Sequence, residues 1–263
     1  MQDFTAITEM PGSALNQEQL ARITQRYQLG AALAQDKDVL EVACGAGIGL
    51  GALQQCARSL VGFDYTFSVL AMAHSHYAQR VPLVCADAQQ LPFADGKFDL
   101  VLAFEAIYYL PRLDWFLAEC RRVLGAGGTL LICTSNPDWP HFAAGQLSVG
   151  YPNLPTLAAA LHKAEFPAAH FYGALPVEAA SYAKRVRAAL RQQLLHYKLF
   201  TLDSAFTRRL KALAYGQLVP LPLELLLPTP PTDPYSGLTP LAANTPDRVH
   251  RVLSVSYTHL RAH

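Results

Sequence analysis

The stretch VLEVACGAGIGLG, residues 39–51, decides the fold. Its first half is a short apolar run with a single carboxylate, Glu41, at its centre. Its second half alternates Gly45, Gly47 and Gly49 before Leu50 opens a helical pattern. Glycine has no Cβ and accepts left-handed backbone conformations, so such a turn lets the main chain pass close to a ligand. The helix beyond it presents free N–H groups. The same glycines would equally serve a tight turn with no ligand. The register is GxGxG, because position 50 is Leu, whereas a dinucleotide fold asks for GxGxxG.

Outward from this turn, short apolar runs alternate with helical patterns. SLVGFD (59–64), VPLVCAD (81–87), FDLVLAFE (98–105) and GTLLICTSN (128–136) read as strands, and 67–79 and 113–124 as helices. Apolar strands separated by helices indicate a parallel sheet covered on both faces, here an α/β, doubly wound, mostly parallel seven-stranded sheet. Upstream, Leu20, Ile23 and Tyr27 place an amphipathic helix over 16–35. Downstream come a Pro-, Gly- and aromatic-rich loop (138–155), a helix (155–165) and a strand near AHFYGAL (169–175). Residues 177–217 read as two helices carrying eight Lys/Arg, at 184, 185, 187, 191, 198, 208, 209 and 211. Segment 219–246 is Pro-rich and reads as an irregular excursion, and RVLSVS (251–256) as a closing strand. The expected organisation is one domain over 1–253, with a cofactor core at 38–136 and an insertion at 177–246. The end of the chain, SVSYTHLRAH (254–263), resembles the peptide encoded by translated sequencing-adapter DNA and is set apart as a non-native tail.

Composition narrows the function. The chain has 263 residues, 51% of them hydrophobic, and a formal net charge of +1. It is apolar enough to bury a sizeable core and lacks the basic excess of a general nucleic-acid binder. No apolar run approaches the roughly 20 residues needed to span a bilayer. The five cysteines, at 44, 56, 85, 120 and 133, are scattered and form no CxxC pair, so they read as reduced thiols and not as a zinc site. A soluble, cytoplasmic enzyme with no metal is the expectation.

The segments VLEVACGAG, LVGFD, CADAQQLPFADGKFDLVLAFEAIYYL and FLAECRRVLGAGGTLLI resemble class I S-adenosylmethionine-dependent methyltransferases, in the broad group that includes the ubiquinone and menaquinone enzymes. The resemblance implies a site at the carboxyl ends of the strands. Glu41, Ala43, Gly45 and Gly47 would form the methionine and ribose turn, with Ala43 where the family often has its first glycine. Asp64 would take the ribose hydroxyls and Tyr65 would flank the adenine. Asp87 and Ala88 would contact the adenine ring, and Phe104 would line the methionine. Read singly, Asp64 and Asp87 would also serve as helix caps.

For the acceptor side, Glu105, Tyr108 and Tyr109 follow the fourth predicted strand, and Trp139, His141, Phe142 and Tyr151 sit in the next loop. Tyr108 and His141 are the candidate catalytic residues, with aromatic packing the alternative for Tyr108. The expected partner is a small-molecule acceptor methylated on O or N. The basic run at 184–211 adds an anionic or lipid-like acceptor as the sharper alternative to a solvated face. Two rival functions stay open: an NAD(P)-dependent oxidoreductase of similar fold, and a non-catalytic S-adenosylmethionine-binding protein.

Overall fold

The structure, a computed structural model, describes residues 3–140, 142–166, 168–176, 218–228, 231 and 233–258. The two helices expected over 177–217, with their basic run, lie outside the described residues, as does the tail beyond 258.

Among the described residues, ten strands and five α-helices follow in chain order: β1 (Ala14–Asn16), α1 (Gln17–Leu33), β2 (Asp38–Val42), α2 (Leu50–Gln54), β3 (Ser59–Asp64), α3 (Phe67–Tyr77), β4 (Leu83–Cys85), β5 (Phe98–Phe104), α4 (Leu113–Val123), β6 (Leu124–Ser135), α5 (Leu154–Lys163), β7 (His170–Pro176), β8 (Leu218–Pro220), β9 (Thr239–Leu241) and β10 (His250–Thr258). The main sheet has the order β4-β3-β2-β5-β6-β10-β7-β9. From β4 to β6 all neighbours are parallel, and β10 then enters antiparallel between β6 and β7. The chain order reverses beside β2, between β3 and β5, and ligands of open α/β sheets bind at the carboxyl ends of strands at such a point.

Side-chain alternation along the strands sorts the core into two layers. In β5, Leu100, Leu102 and Phe104 pack with Ile23, Tyr27 and Ala31 of α1, Leu50 and Leu53 of α2, and Leu70, Ala73 and Tyr77 of α3. Val101 and Ala103 face the opposite layer, with Phe116, Leu117, Cys120 and Val123 of α4 and Leu154, Leu157 and Leu161 of α5. Helix α1 starts at a capping box: Asn16 Oδ1 accepts from the Gln19 N–H at 2.9 Å, and Gln19 Oε1 accepts from the Asn16 N–H at 3.0 Å. Asn153 caps α5 in the same way, accepting from the Thr156 N–H at 3.1 Å.

Two expectations about the later chain need correction. Among the described residues the main sheet has eight strands, because TPL at 239–241 adds an antiparallel edge outside β7. A three-residue segment with a central proline carries no period-2 signal, and an edge is where sheets accept proline. The Pro-rich excursion is also less irregular than its composition implies. Its start, β8, pairs with β1 in a separate two-stranded sheet, and Leu221 and Leu225 are buried in the α1–α3 layer. Strand β4 is shorter than VPLVCAD, since Pro82 has no N–H to donate. Residues 254–258 sit in β10, with Val255 and Tyr257 buried. Among the described residues no helix is long and apolar enough to cross a membrane.

Candidate functional site

The strands at the switch point end in a cavity of about 480 Å³. Its floor is the turn after β2. Ala43 there has φ 60°, in the left-handed region that disfavours residues with a Cβ, which is why a glycine suits the position. Gly45 follows with φ 57°, and a Cβ on it would meet only Thr8 Cγ2, at 3.0 Å. The Gly45 N–H donates to Asp64 Oδ2 at 2.8 Å, and the Thr66 N–H donates to Asp64 Oδ1 at 2.8 Å. Burial lifts the Asp64 carboxyl above the ordinary aspartate range, against these two backbone donors, which pull it down. Each carboxylate oxygen keeps acceptor capacity beyond its one bond.

Of the residues expected from sequence, Ala43, Gly45, Asp64, Tyr65, Asp87, Ala88, Phe104 and Tyr108 all line this cavity. Asp87 accepts from the N–H of Gln89 at 2.8 Å, so it caps its own turn while facing the site. Glu41 and Gly47 do not line it. Glu41 is buried beneath the turn, where its Oε1 accepts from the Tyr27 hydroxyl at 2.6 Å and, among the described residues, nothing donates to its Oε2. Burial raises the Glu41 pKa to about 7, with Tyr27 and Arg26 acting in the opposite sense. Gly47, φ 78°, is pressed by α3: a Cβ there would lie 2.9 Å from Tyr77 Cε2 and from Leu50 Cδ1. Gly47 therefore packs tightly against α2 and α3. His141 lies outside the described residues. Trp139, Phe142 and Tyr151 do not line the cavity either. Tyr151 stacks on Tyr108 at 4.2 Å between centroids, and Phe142 packs edge-on to Tyr151, so this loop supports Tyr108 from behind.

The roof comes from residues ahead of α1, a segment with no periodic pattern in the sequence. Residues before α1 cross the opening, with Phe4 against both Tyr65 and Tyr109 and Thr8 over Gly45. Glu9 forms an ion pair with Arg26 of α1. Burial works against the Arg26 charge, but the oxygens of Glu9, Tyr27 and Glu105 outweigh it and hold the guanidinium pKa above its ordinary value. Arg26 Nε is buried and has no hydrogen-bond partner among the described residues. One signal for Arg26 was legible: it is a charge three residues after Ile23, inside the apolar stripe of α1. Phe4, Thr8 and Glu9 follow no period and gave none.

At the other side of the cavity, Glu105 Oε2 accepts from the Tyr108 hydroxyl at 3.0 Å, the Ser135 N–H at 3.1 Å and the Ser135 hydroxyl at 2.8 Å. Burial, and next the Glu105 carboxylate, push the Tyr108 phenol far up, so it stays a proton donor. A concave, partly apolar chamber with carboxylates at two strand ends and an aromatic rim suits a nucleoside-bearing ligand.

Comparison with known proteins agrees with this geometry. Residues 40–132 match the methyltransferase domain family. A fatty-acid O-methyltransferase of Mycolicibacterium smegmatis is 38% identical over 120 residues, 44% of each chain. A ubiquinone biosynthesis O-methyltransferase of Rhodopseudomonas palustris is 27% identical over 116 residues, 43% of this chain and 45% of that one. The chain thus spans about half or less of the length of the curated relatives it matches. The YcgJ protein of Bacillus subtilis shares the fold across 92% of this chain and all of its own, with a TM-score of 0.56 at 16% identity. Residues 40–132, seated in the switch-point sheet described above, thus match a methyltransferase domain, and relatives similar over this stretch include S-adenosylmethionine-dependent methyltransferases.

Proposed function

We propose that this protein transfers a methyl group from S-adenosylmethionine to an oxygen or nitrogen of a small, largely apolar acceptor. The observation that carries the reading is the cavity at the switch point, where Asp64, Asp87 and the Gly45 turn converge under a roof of N-terminal residues. The residues present fit the cofactor. Asp64 has free acceptor capacity for ribose hydroxyls, and Tyr65, Asp87 and Ala88 line the part of the cavity the adenine would take. The Gly45 turn and the Arg26 guanidinium, both on the cavity lining, suit a zwitterionic amino-acid tail. Glu41 acts from below, through Tyr27, by holding α1 against the turn.

Bound there, the cofactor supplies an already activated methyl on a sulfonium. The chain's own contribution is orientation and exclusion of water. Phe104 and Tyr108 wall the chamber, Phe4 and Thr8 close it, and alignment of this kind supplies about 7–11 kcal/mol in favourable cases. An aromatic wall of Tyr108, Tyr109 and Phe4 favours an acceptor with an apolar body, and the likeness to a fatty-acid O-methyltransferase supports the same class. Release of S-adenosylhomocysteine during incubation with a panel of hydroxylated, amino and carboxylated long-chain probes tests the reading. Product formation with one class and no other identifies the acceptor group. Cofactor binding without release from any probe or metabolite extract would contradict catalysis.

A further inference from the structure

Glu105 stands out among the cavity residues. It directly follows β5 with φ 51°, a conformation that a residue with a Cβ holds only where its surroundings impose it. Those surroundings are specific: three donors, from Tyr108 and from both the backbone and side chain of Ser135, all fall on Oε2. Among the described residues none donates to Oε1, although Glu105 lines the chamber. Tyr108 is in turn clamped by its stack on Tyr151 and its contact with Tyr109 at 4.5 Å. A carboxylate fixed through one oxygen presents the other in a defined direction, as an acceptor with no donor of its own.

We infer that Glu105 is the proton acceptor of the reaction, acting at Oε1, and that the natural acceptor arrives with a proton on its nucleophile, as a hydroxyl or an amine and not as a carboxylate. This rests on the methyl-transfer reading above. The acceptor's heteroatom–hydrogen bond breaks and its proton passes to Glu105 Oε1. The heteroatom's electron pair forms the bond to the methyl carbon, and the carbon–sulfur pair returns to sulfur, which ends neutral. Glu105 then releases the proton to water. A carboxylate acceptor has no proton to give and would meet Glu105 as a like charge. Tyr108 is a positioning residue in this arrangement, because its phenol donates to Glu105 and stays protonated.

Two ligands that need no acceptor test this. S-adenosylhomocysteine is uncharged at sulfur, whereas sinefungin carries a primary ammonium in place of the transferable methyl. A carboxylate aimed at the reacting centre should make the protein prefer sinefungin by about tenfold or more, the scale of one charge-assisted hydrogen bond. In Glu105→Gln that preference should fall to within about threefold while the affinity for S-adenosylhomocysteine barely moves. Tyr108→Phe, which keeps the carboxylate and its Ser135 donors, should retain most of the preference. Should Glu105→Gln fail to fold, Ser135→Ala serves: loosening the carboxylate should lower the preference part-way. Equal weakening of both ligands, or no sinefungin preference in the unaltered protein, overturns the assignment of Glu105. Failure of the unaltered protein to bind either ligand overturns the cofactor reading itself.

Discussion

The Gly45 N–H donates to Asp64 Oδ2 at 2.8 Å, tying the glycine turn after β2 to the end of the neighbouring strand β3. Asp64 is therefore both a ligand candidate and a fastener. Asp64→Ala should weaken S-adenosylmethionine binding by about 1.5–3 kcal/mol, the range for hydrogen bonds to a charged group, and should lower the melting temperature because two buried N–H groups lose their acceptor. Asp64→Asn, which keeps one acceptor oxygen, separates the two effects. Calorimetry showing unchanged affinity in folded Asp64→Ala would remove Asp64 from the site.

The buried Glu41 makes stability depend on pH. Its pKa rises from an ordinary 4.5 unfolded to about 7 folded, chiefly through burial. A group that binds its proton more tightly in the folded state favours folding below pH 4.5, and that contribution disappears as pH rises to about 7. The loss should be about 3 kcal/mol across this window. Urea titrations at pH 5 and pH 8 measure it, and in Glu41→Gln the pH dependence assigned to this residue should vanish. An equal slope in both proteins would show Glu41 to be ionised throughout.

Ala43 and Gly47 respond oppositely to substitution. Ala43→Gly relieves left-handed strain of about 1–2 kcal/mol, partly offset by about 0.5–1 kcal/mol of added unfolded-chain entropy. A small net gain in stability, with binding retained, is expected. Gly47→Ala adds a Cβ at φ 78° against Tyr77 and Leu50 and should destabilise by about 1–3 kcal/mol. Chemical denaturation of both variants settles it. A Gly47→Ala protein of unaltered stability that loses the cofactor would return Gly47 to the ligand site.

Much of this architecture is legible in the sequence. SLVGFD is strand β3 to the residue, because apolar β-branched and aromatic side chains bounded by turn chemistry leave little choice. The strand-end carboxylates Asp64 and Asp87 are legible because the parallel strands β2 to β6 all send their carboxyl ends to one edge. The roof was not: the contacts of Phe4 and Glu9 depend on how a segment without periodicity folds back across the sheet. Nor could composition separate Gly45 from Gly47, since what distinguishes them is the ring of Tyr77, thirty residues on.

The roof gives its own expectation. Glu9→Gln removes the main counter-charge of the buried Arg26. Because Glu9 is 39% exposed, the cost should be about 1–2 kcal/mol, below that of a fully buried pair. Saturating S-adenosylhomocysteine, whose carboxylate can replace Glu9, should then stabilise the variant more than the unaltered protein. Thermal melts with and without ligand compare the two increments, and equal increments would place the carboxylate away from Arg26.

The central claim, a cavity built for an adenosyl amino acid and not for a dinucleotide, is tested most directly by calorimetric titration of the unaltered protein with S-adenosylhomocysteine and, separately, with NADH and NADPH. Saturable one-to-one binding of S-adenosylhomocysteine, with no heat from either dinucleotide, is the expected result. Tight binding of a dinucleotide with none of S-adenosylhomocysteine would contradict it.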